Sequence, residues 1–375
     1  TTSLTVQVST VLNLQPVVAT IAANPSQVFP GGTASLACRA TDPDGDGLTY
    51  GWNASRGTVT PLAPGDATYT AGTAGPAQVT CVVEDGRGGR AERTVTVAVT
   101  EAQAAALISQ GLTTPQRLGI DSFGEVFVVD RGAGGIVVSL LNEGEMVYRI
   151  PAPDVTAIAV DWGDRLLVGR PDRAEVWDHL GQPVGVLQAE QGLGEVSDVA
   201  VDPVRQRYAV LYRWPGRVQL FDQGGALIAA FGSTGDGPAQ LRTPSGIAFT
   251  PGGDVVVADR GHGLIKVFST AGALLRSFGG LGGNLGEFVE LDDVEVLPDG
   301  VVVASDAFQS RLVLFAADGT PLDVLGTYGT GLGQLATPAG IAVAPDFDRL
   351  LAASLNASNV QVFALSAAPP APPAA

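Results

Sequence analysis

Three aspartates at alternate positions form the clearest candidate ligand set of this chain. They belong to the stretch DPDGDG, and one residue separates each from the next: Asp42, Asp44 and Asp46. Alternate carboxylates on a tight, glycine-containing loop can converge on Ca²⁺, which takes six to eight oxygen ligands. The stretch matches the first half of a calcium loop, although the twelfth position of that loop falls on Asn53 instead of glutamate. The alternative is a turn whose carboxylates accept hydrogen bonds from backbone amides.

The two cysteines, Cys38 and Cys81, each lie in a strand-like run, and Trp52 lies between them. This order is typical of two-sheet sandwiches, in which a disulfide links the sheets beside a buried indole. A disulfide implies an oxidising compartment, which predicts an exported protein. The alternative is a pair of buried thiols that are not linked.

Residue types suited to catalysis are sparse. The two histidines, His179 and His262, are too few for a histidine metal set, and both cysteines lie in a different part of the chain. This distribution argues against a zinc site and against Cys–His catalysis. The chain contains neither a G-x-S-x-G elbow nor a phosphate-binding loop. We therefore expect a protein that is not an enzyme.

Composition sets the class of protein that must position these residues. The chain has 375 residues, a net charge of −17, 49 glycines and 25 prolines. Such an acidic balance argues against nucleic acid and against anionic membrane surfaces as partners. No apolar run is long enough to span a bilayer, and no signal peptide precedes the first strand, so we expect the numbering to begin after a removed export signal or at an excision point. Valine- and threonine-rich runs between glycine and proline turns predict an all-β fold.

Residues 14–101 carry the first recognisable pattern. The stretches QPVVATIAANPSQVFPGGTASLACRATDPDGDGLTYGW and AQVTCVVEDGRGGRAERTVTVAVT resemble PKD-type and related Ig-like repeats of bacterial surface proteins. The resemblance implies a β-sandwich that acts as a spacer or adhesive stalk. Its six strands are expected at Val17–Ala22, Thr33–Ala40, Leu48–Asn53, Ala67–Tyr69, Ala77–Val83 and Arg93–Thr100.

Residues 103–366 contain an internal repeat. The copy TPSGIAFTPGGDVVVADRGHGLIKVFSTAGALLRSFGG closely resembles the NHL repeat. Each unit reads as four short strands, which is typical of propeller blades because a lone four-stranded sheet cannot bury both of its faces. A six-bladed NHL-type β-propeller is therefore expected after the Ig-like sandwich. Its units align on Ile120, Ile158, Val199, Ile247, Val294 and Ile341, which are 38 to 48 residues apart.

The last unit predicts how the ring closes. It runs through its third strand, Asn359–Phe363, and then enters the Pro/Ala tail of residues 367–375 without a fourth strand. Residues 104–110 imitate the end of a unit, so we expect them to supply the outer strand of the last blade. That pairing would remove exposed sheet edges.

The NHL resemblance leaves an enzymatic alternative open. Some NHL-like propellers are lyases or lactonases that hold a metal in the central channel, and such sites need several histidines or a carboxylate–asparagine set pointing inward. An inward-facing acidic cluster that binds a metal would favour this alternative. The aspartates that recur at one blade position are instead expected to anchor turns within the blades. They are Asp130, Asp259 and Asp306.

Four arginines follow the second strand of four consecutive blades. They are Arg131, Arg170, Arg213 and Arg260, and Trp214 and Phe308 lie beside them. Guanidinium groups crowded on one rim could bind a carboxylate, a sulfate or an acidic loop of a partner protein, with the two aromatic side chains adding contact area. The alternative is that each arginine forms an ion pair with a neighbouring blade.

The chain begins with a strand pattern that neither domain needs. Residues 1–13 include Leu4, Val6 and Val8, which repeat the pattern of the closing strand Arg93–Thr100. This segment is either the remnant of an upstream repeat or a strand that adds to the sheet edge of another copy. Together with the C-terminal tail it predicts self-association.

These observations predict a non-catalytic exported protein, either extracellular or on the cell surface, with the periplasm as an alternative location. The expected role is structural or binding, as in a filament or sheath subunit, with the propeller contacting proteins or glycans. A channel-metal lyase or lactonase and a periplasmic assembly scaffold are the alternative functions. Calcium is the one cofactor that the sequence suggests.

Overall fold

The computed structural model describes residues 13–24, 26–28, 30–73, 75–345 and 349–367. These residues form β-strands, turns and one three-residue 3₁₀ helix, Leu355–Ala357. None of the described segments is a helix long and apolar enough to cross a membrane. The described residues up to Thr100 form one compact unit, and Glu101–Ser366 form a second. The predicted strand with Leu4, Val6 and Val8, and the tail beyond Ala367, lie outside the described residues.

The first unit is a two-sheet β-sandwich. Its strands are β1 Val17–Asn24, β2 Gln27–Val28, β3 Thr33–Thr41, β4 Thr49–Ala54, β5 Thr58–Ala63, β6 Asp66–Thr70, β7 Gly75–Glu84 and β8 Arg90–Ile108. One sheet has the strand order β1-β3-β6-β5, and the other contains β4, β7 and β8, with β2 pairing in parallel beside β8.

Alternation along the strands builds the core of the sandwich. Because successive side chains of a strand point to opposite faces, every second residue of β3 and of β7 points between the sheets. Leu36 and Cys38 on β3 and Val79 and Cys81 on β7 are each at most 2% exposed. The two sheets therefore bury one common apolar layer.

The six strands expected in this unit are all present, with boundaries that differ by a few residues. One expectation was wrong. The sequence predicted two strands, over 93–100 and 104–110, whereas β8 continues without interruption from Arg90 to Ile108. The physical reason is that no glycine or proline between these positions breaks the strand.

The second unit contains five four-stranded antiparallel sheets and a sixth set of four strands, in which three strands of the last repeat are followed by the end of β8. Sheets one to three consist of β9 Pro115–Ile120, β10 Glu125–Asp130, β11 Gly135–Leu140, β12 Met146–Pro151; β13 Ala157–Val160, β14 Leu166–Gly169, β15 Ala174–Trp177, β16 Pro183–Val186; β17 Val196–Asp202, β18 Arg207–Tyr212, β19 Arg217–Asp222 and β20 Leu227–Phe231. Sheets four to six consist of β21 Pro244–Phe249, β22 Val255–Asp259, β23 Leu264–Phe268, β24 Leu274–Gly279; β25 Leu291–Val296, β26 Val302–Asp306, β27 Arg311–Phe315, β28 Pro321–Leu325; and β31 Pro338–Val343, β32 Arg349–Ser354 and β33 Asn359–Ala367 with β8. The short strands β29 Thr327–Tyr328 and β30 Gln334–Leu335 pair with each other.

The six sheets form a closed ring. The first strand of each sheet contacts the first strand of the next, and β31 contacts β9. Each of the six alignment residues lies on such an inner strand. Close approach at the centre requires glycine at Gly246, where a Cβ atom would lie 2.8 Å from the Cα of Asp293. The fold is thus an NHL-type six-bladed propeller preceded by an Ig-like sandwich.

The ring closes at the sixth sheet through the end of β8. The end of β8 lies beside β33, which is the third strand of the last repeat unit. Ile108 is fully buried and packs in one cluster with Val360 and Val362 of β33 and with Val126 and Val128 of the first sheet. The segment that precedes the first blade in the sequence thus completes the last blade, whose other three strands are β31, β32 and β33.

Candidate functional site

One face of the propeller carries the residues that the sequence singled out for binding. We call it the upper face; it consists of the turns between second and third strands and the connections that lead from a fourth strand to the next sheet. These two sets of loops contact each other. Asp130, at the end of β10, accepts hydrogen bonds from the amides of Thr113 (2.6 Å) and Thr114 (3.0 Å), which precede β9.

The aspartates that recur on this face anchor its loops. Asp130, Asp259 and Asp306 are fully buried. Asp306 accepts hydrogen bonds from the backbone amides of Val289 and Glu290, at 3.1 Å each. Burial opposes ionisation of Asp130, but its hydrogen bonds from Thr113, Thr114 and other donors outweigh burial and lower its pKa. These carboxylates are therefore engaged in holding the backbone.

The four rim arginines divide between the two roles that the sequence left open. Arg170 pairs with Asp154 and with Glu175, and its guanidinium carbon lies 5.6 Å from the centre of the Trp177 ring. Arg260 pairs with Glu290 and, at 3.0 Å, with Asp292. Arg260 thus pairs with the next blade, as the ion-pair alternative predicted. Arg170 instead pairs with Glu175 of its own sheet and with Asp154 in the connection that leads into that sheet.

The other two rim arginines are differently placed. Arg131 is exposed to solvent. Arg213 is half-buried, and its buried Nε atom has no hydrogen-bond partner among the described residues. Ion pairs thus engage two of the four guanidinium groups of the rim. The binding role of the rim stays a prediction.

Exposed apolar side chains are a second feature of the upper face, and the sequence predicted only two of them. Trp214 is 53% exposed and Phe308 is 71% exposed. The connections from the fourth and fifth sheets add further large apolar side chains that are exposed to solvent: Leu281, Leu285, Val289, Tyr328 and Leu332. Hydrogen bonds from Gln309 to Gly283 and from Arg311 to Asn284 hold the first of these connections against the turn that carries Phe308.

The centre of the ring holds a charged cluster that sequence reasoning missed. Arg117 on β9 is 8% exposed, and its guanidinium group contacts four other inner strands. Its Nη1 atom lies 3.1 Å from Asp292 and donates to the carbonyl of Ala339 (2.5 Å), while Nη2 donates to the carbonyl of Ser245 at 3.0 Å. Its Nε atom lies 3.7 Å from the carboxylate of Asp198.

The aspartates around Arg117 are themselves built into the ring. Asp198 accepts a hydrogen bond from the amide of Ile247 (2.9 Å), and Asp293 accepts one from the amide of Ile341 (2.8 Å). Each carboxylate thus joins one inner strand to the inner strand of the next sheet. Burial raises the pKa of both carboxyl groups, and the positive charge of Arg117 opposes that rise.

A sequence signal for this cluster did exist. Asp198 and Asp293 immediately precede the alignment residues Val199 and Val294, at a position where the four other units have a small residue. Those residues are Gly119, Ala157, Gly246 and Gly340. Two carboxylates at a position of closest strand approach indicated a central polar contact, although the sequence does not show which cation faces them.

In the sandwich, the predicted cysteine and aspartate sites have different outcomes. Cys38 and Cys81 come from opposite sheets and contact each other through their side chains, but the structure has both as free, fully buried cysteines. The disulfide is therefore not confirmed and stays a prediction. One carboxylate oxygen each from Asp42, Asp44 and Asp46 lies within 4.8 Å of the others, so the predicted ligand set does converge.

Comparison with known proteins agrees with this architecture. Residues 13–98 match the model for a bacterial Ig domain, and residues 241–268 match the model for the NHL repeat. The chain contains both modules. No curated protein gives a significant match to the chain.

Among solved structures, the chain is similar to a structural genomics protein of unknown function from Bacteroides thetaiotaomicron VPI-5482. The two share 13% sequence identity with a TM-score of 0.59, over 94% of this chain and 99% of the other. At this identity the likeness extends to the fold alone. The bacterial Ig domain and the NHL-type propeller therefore define the architecture, and function has to be argued from the sites.

Proposed function

We propose that the chain is a non-catalytic, exported protein of the cell surface whose propeller is a protein-interaction platform, with the upper face as its contact surface. The observation that carries this proposal is the set of seven large apolar side chains exposed in the loops of that face. Clusters of exposed apolar residues rimmed by polar ones mark interaction sites on soluble proteins.

The composition of the upper face fits a protein partner. Trp214, Phe308 and Tyr328 offer broad, rigid side chains that lose little conformational entropy when they become buried. Tryptophan, tyrosine and arginine are also the residue types that contribute most to binding energy in protein interfaces. Exposed Arg131 on the same face adds a charge that can select an acidic partner.

The charged centre of the propeller supports a non-catalytic role over the lyase or lactonase alternative. Asp198, Asp292 and Asp293 lie around Arg117 at the centre of the ring. An acidic cluster at this place would favour the enzymatic alternative only if it bound a metal. However, the guanidinium group of Arg117 lies among them and is held by two backbone carbonyls. A fixed cation at this position opposes a divalent metal ion by electrostatic repulsion.

The bacterial Ig domain supports export and a surface location. The sequence of this domain resembles Ig-like repeats of bacterial surface proteins. The finer proposal is that the partner is another copy of the chain in an extracellular filament or sheath. Its support is the strand pattern of Leu4, Val6 and Val8, which repeats the closing strand of the sandwich.

A site-specific photo-cross-linking experiment tests the platform. A photoreactive phenylalanine analogue replaces Phe308 on the upper face, and the control replaces Phe123, which is 80% exposed in the turn between β9 and β10 on the opposite face. On intact cells that produce the protein, we expect a discrete protein adduct from position 308 and none from position 123. Equal labelling from both positions, or none from either, contradicts the proposal. An adduct of twice the chain mass identifies a second copy as the partner.

A further inference from the structure

Three segments of the Ig domain meet at the aspartate loop. They are Asn13–Leu14 ahead of β1, the loop 42–47 between β3 and β4, and the turn 85–89 between β7 and β8. The amide of Leu14 donates to Asp44 at 2.7 Å. The side-chain amide of Asn13 donates to Asp85, also at 2.7 Å. Arg87 of the third segment pairs with Asp46 of the loop at 3.2 Å.

The aspartate loop is folded so that its carboxylates face one another. Gly45 has φ +79°, a left-handed conformation that glycine adopts without strain and that tightens the loop. The Oδ1 atom of Asp42 accepts hydrogen bonds from the amides of Asp44 (2.8 Å) and Asp46 (3.2 Å). This is the turn that the sequence offered as the alternative to a metal site, and it uses only one of the two Asp42 oxygens.

Several oxygens at this junction are buried without a donor. The Oδ1 atom of Asn13 and the Oδ2 atoms of Asp42 and Asp46 are buried and have no hydrogen-bond partner among the described residues. The Asp46 side chain is only 10% exposed. Buried acceptors in folded proteins are almost always satisfied, so three orphaned oxygens in neighbouring segments indicate a missing electropositive group.

The charge balance identifies that group as a cation. Three carboxylates converge here, and the guanidinium group of Arg87 pairs with one of them, Asp46, at 3.2 Å. A water molecule would offer two donors and no charge, so it would leave the three carboxylates undercompensated. A divalent cation satisfies the orphaned oxygens and balances the remaining negative charge together.

We propose that this junction binds one Ca²⁺ ion through oxygens of Asp42, Asp44, Asp46 and Asn13. The donor set is made only of carboxylate and amide oxygens, which suits Ca²⁺ better than zinc, since zinc prefers nitrogen and sulfur. Mg²⁺ requires a near-ideal octahedron and gives up its water reluctantly, whereas Ca²⁺ accepts irregular sets completed by water. The ion ties the segment ahead of β1 to the β3–β4 loop and so stiffens this end of the domain.

Calcium titration of the full chain tests the site. After removal of metal with a chelator, calorimetric titration with CaCl₂ should show one site per chain with a Kd of about 10⁻⁴–10⁻³ M, the range of extracellular calcium modules. Asp46→Asn should weaken binding at least about tenfold, because it removes a ligand charge. The control Asp66→Asn alters an exposed carboxylate of the same domain, paired with Arg39 at 2.6 Å, and should leave the Kd unchanged.

Three outcomes would overturn the proposal. They are the absence of calcium binding by the wild-type chain, unchanged binding by Asp46→Asn, and an equal affinity for MgCl₂. Circular dichroism shows whether the Asp46→Asn chain is folded. If it is not, Asn13→Ala decides, since it removes a neutral ligand outside the loop: a weakened Kd supports the site, and an unchanged Kd contradicts it.

Discussion

Arg117 joins the inner strands of five of the six sheets through a single side chain. Its guanidinium group lies against Asp198 of the third sheet, Ser245 of the fourth, Asp292 of the fifth and Ala339 of the sixth. Buried charge clusters add little net stability compared with apolar packing, but they are costly to break, because the removed partner leaves uncompensated charges. At the scale of the residue, the stability of the centre of the ring therefore depends on this arginine.

Replacing Arg117 with methionine should destabilise the propeller by about 3–5 kcal/mol at neutral pH, since three buried or nearly buried carboxylates lose their counter-ion. Arg242→Met is the matched control: that side chain is 60% exposed and lies 3.6 Å from Asp236 in a surface pair. A surface pair contributes less than about 1 kcal/mol. Urea denaturation of both variants measures the difference, and equal losses would contradict a central role for Arg117.

Glu295, two residues after Asp293 on β25, makes stability depend on pH. Burial raises its pKa to about 8 from an ordinary value near 4.5; the Val296 amide opposes the rise and the charge of Asp293 adds to it. Between these two pH values the unfolded chain loses the proton while the folded chain keeps it. The free energy of unfolding should therefore fall as pH rises from about 4.5 to about 8.

Thermal denaturation across this pH range checks the expectation with wild type and Glu295→Gln. The variant should show a shallower fall of Tm, because it cannot ionise at this position. Some fall should remain, since Asp198 and Asp293 also have raised pKa values and act in the same direction. Superimposable Tm profiles would show that Glu295 does not titrate in this window.

At the scale of the element, β8 closes the ring by supplying the outer strand of the last sheet. Ile108→Ala should remove buried methyl groups from the cluster that spans the sixth and first sheets. A loss of about 2–4 kcal/mol is expected, the usual cost of truncating a fully buried isoleucine. Ile228→Ala on the outer strand β20 is the control; that side chain is 51% exposed and its truncation should cost less than about 0.5 kcal/mol.

The denaturation midpoint of the propeller transition measures both effects. A midpoint for Ile108→Ala close to that of Ile228→Ala would mean that the end of β8 contributes little to closure.

The same strand β8 also shows a limit of sequence reasoning. The Val-Thr alternation and the later alanine run were interpreted as two strands, yet continuous backbone pairing needs only the absence of a breaker.

At the scale of the whole molecule, we expect the exposed side chains of the upper face to contribute to partner binding and little to folding stability. Phe308 and Tyr328 are 71% and 80% exposed, so replacing both with serine should change the free energy of unfolding by no more than about 0.5 kcal/mol per site. The same double variant should lose partner contact at the upper face. Calorimetry measures the change in stability, and photo-cross-linking from an analogue placed at position 214 measures the contact with the partner. A large drop in Tm would show that these side chains stabilise the fold instead.

Much of the architecture was predictable from local patterns. The alignment residues Ile120 to Ile341 all lie on inner strands, and the alternation around Cys38 and Cys81 placed both inside the sandwich. Such patterns work because side chains alternate along a strand, and because glycine, proline and aspartate specify turns within a few residues. The ion pairs of Arg170 and Arg260 were less predictable, because each depends on a loop from a different strand connection.

The sequence by itself determined the strands, the turns, the repeat and hence the two modules of this protein, since all of these depend on residues close together in the chain. Only the tertiary structure decided which charges meet. Arg117 is separated by 175 residues from Asp292 and by 222 from Ala339, and Asn13 by 72 from Asp85. Local periodicity carries no information on contacts at such separations, because ring closure and sheet packing create them.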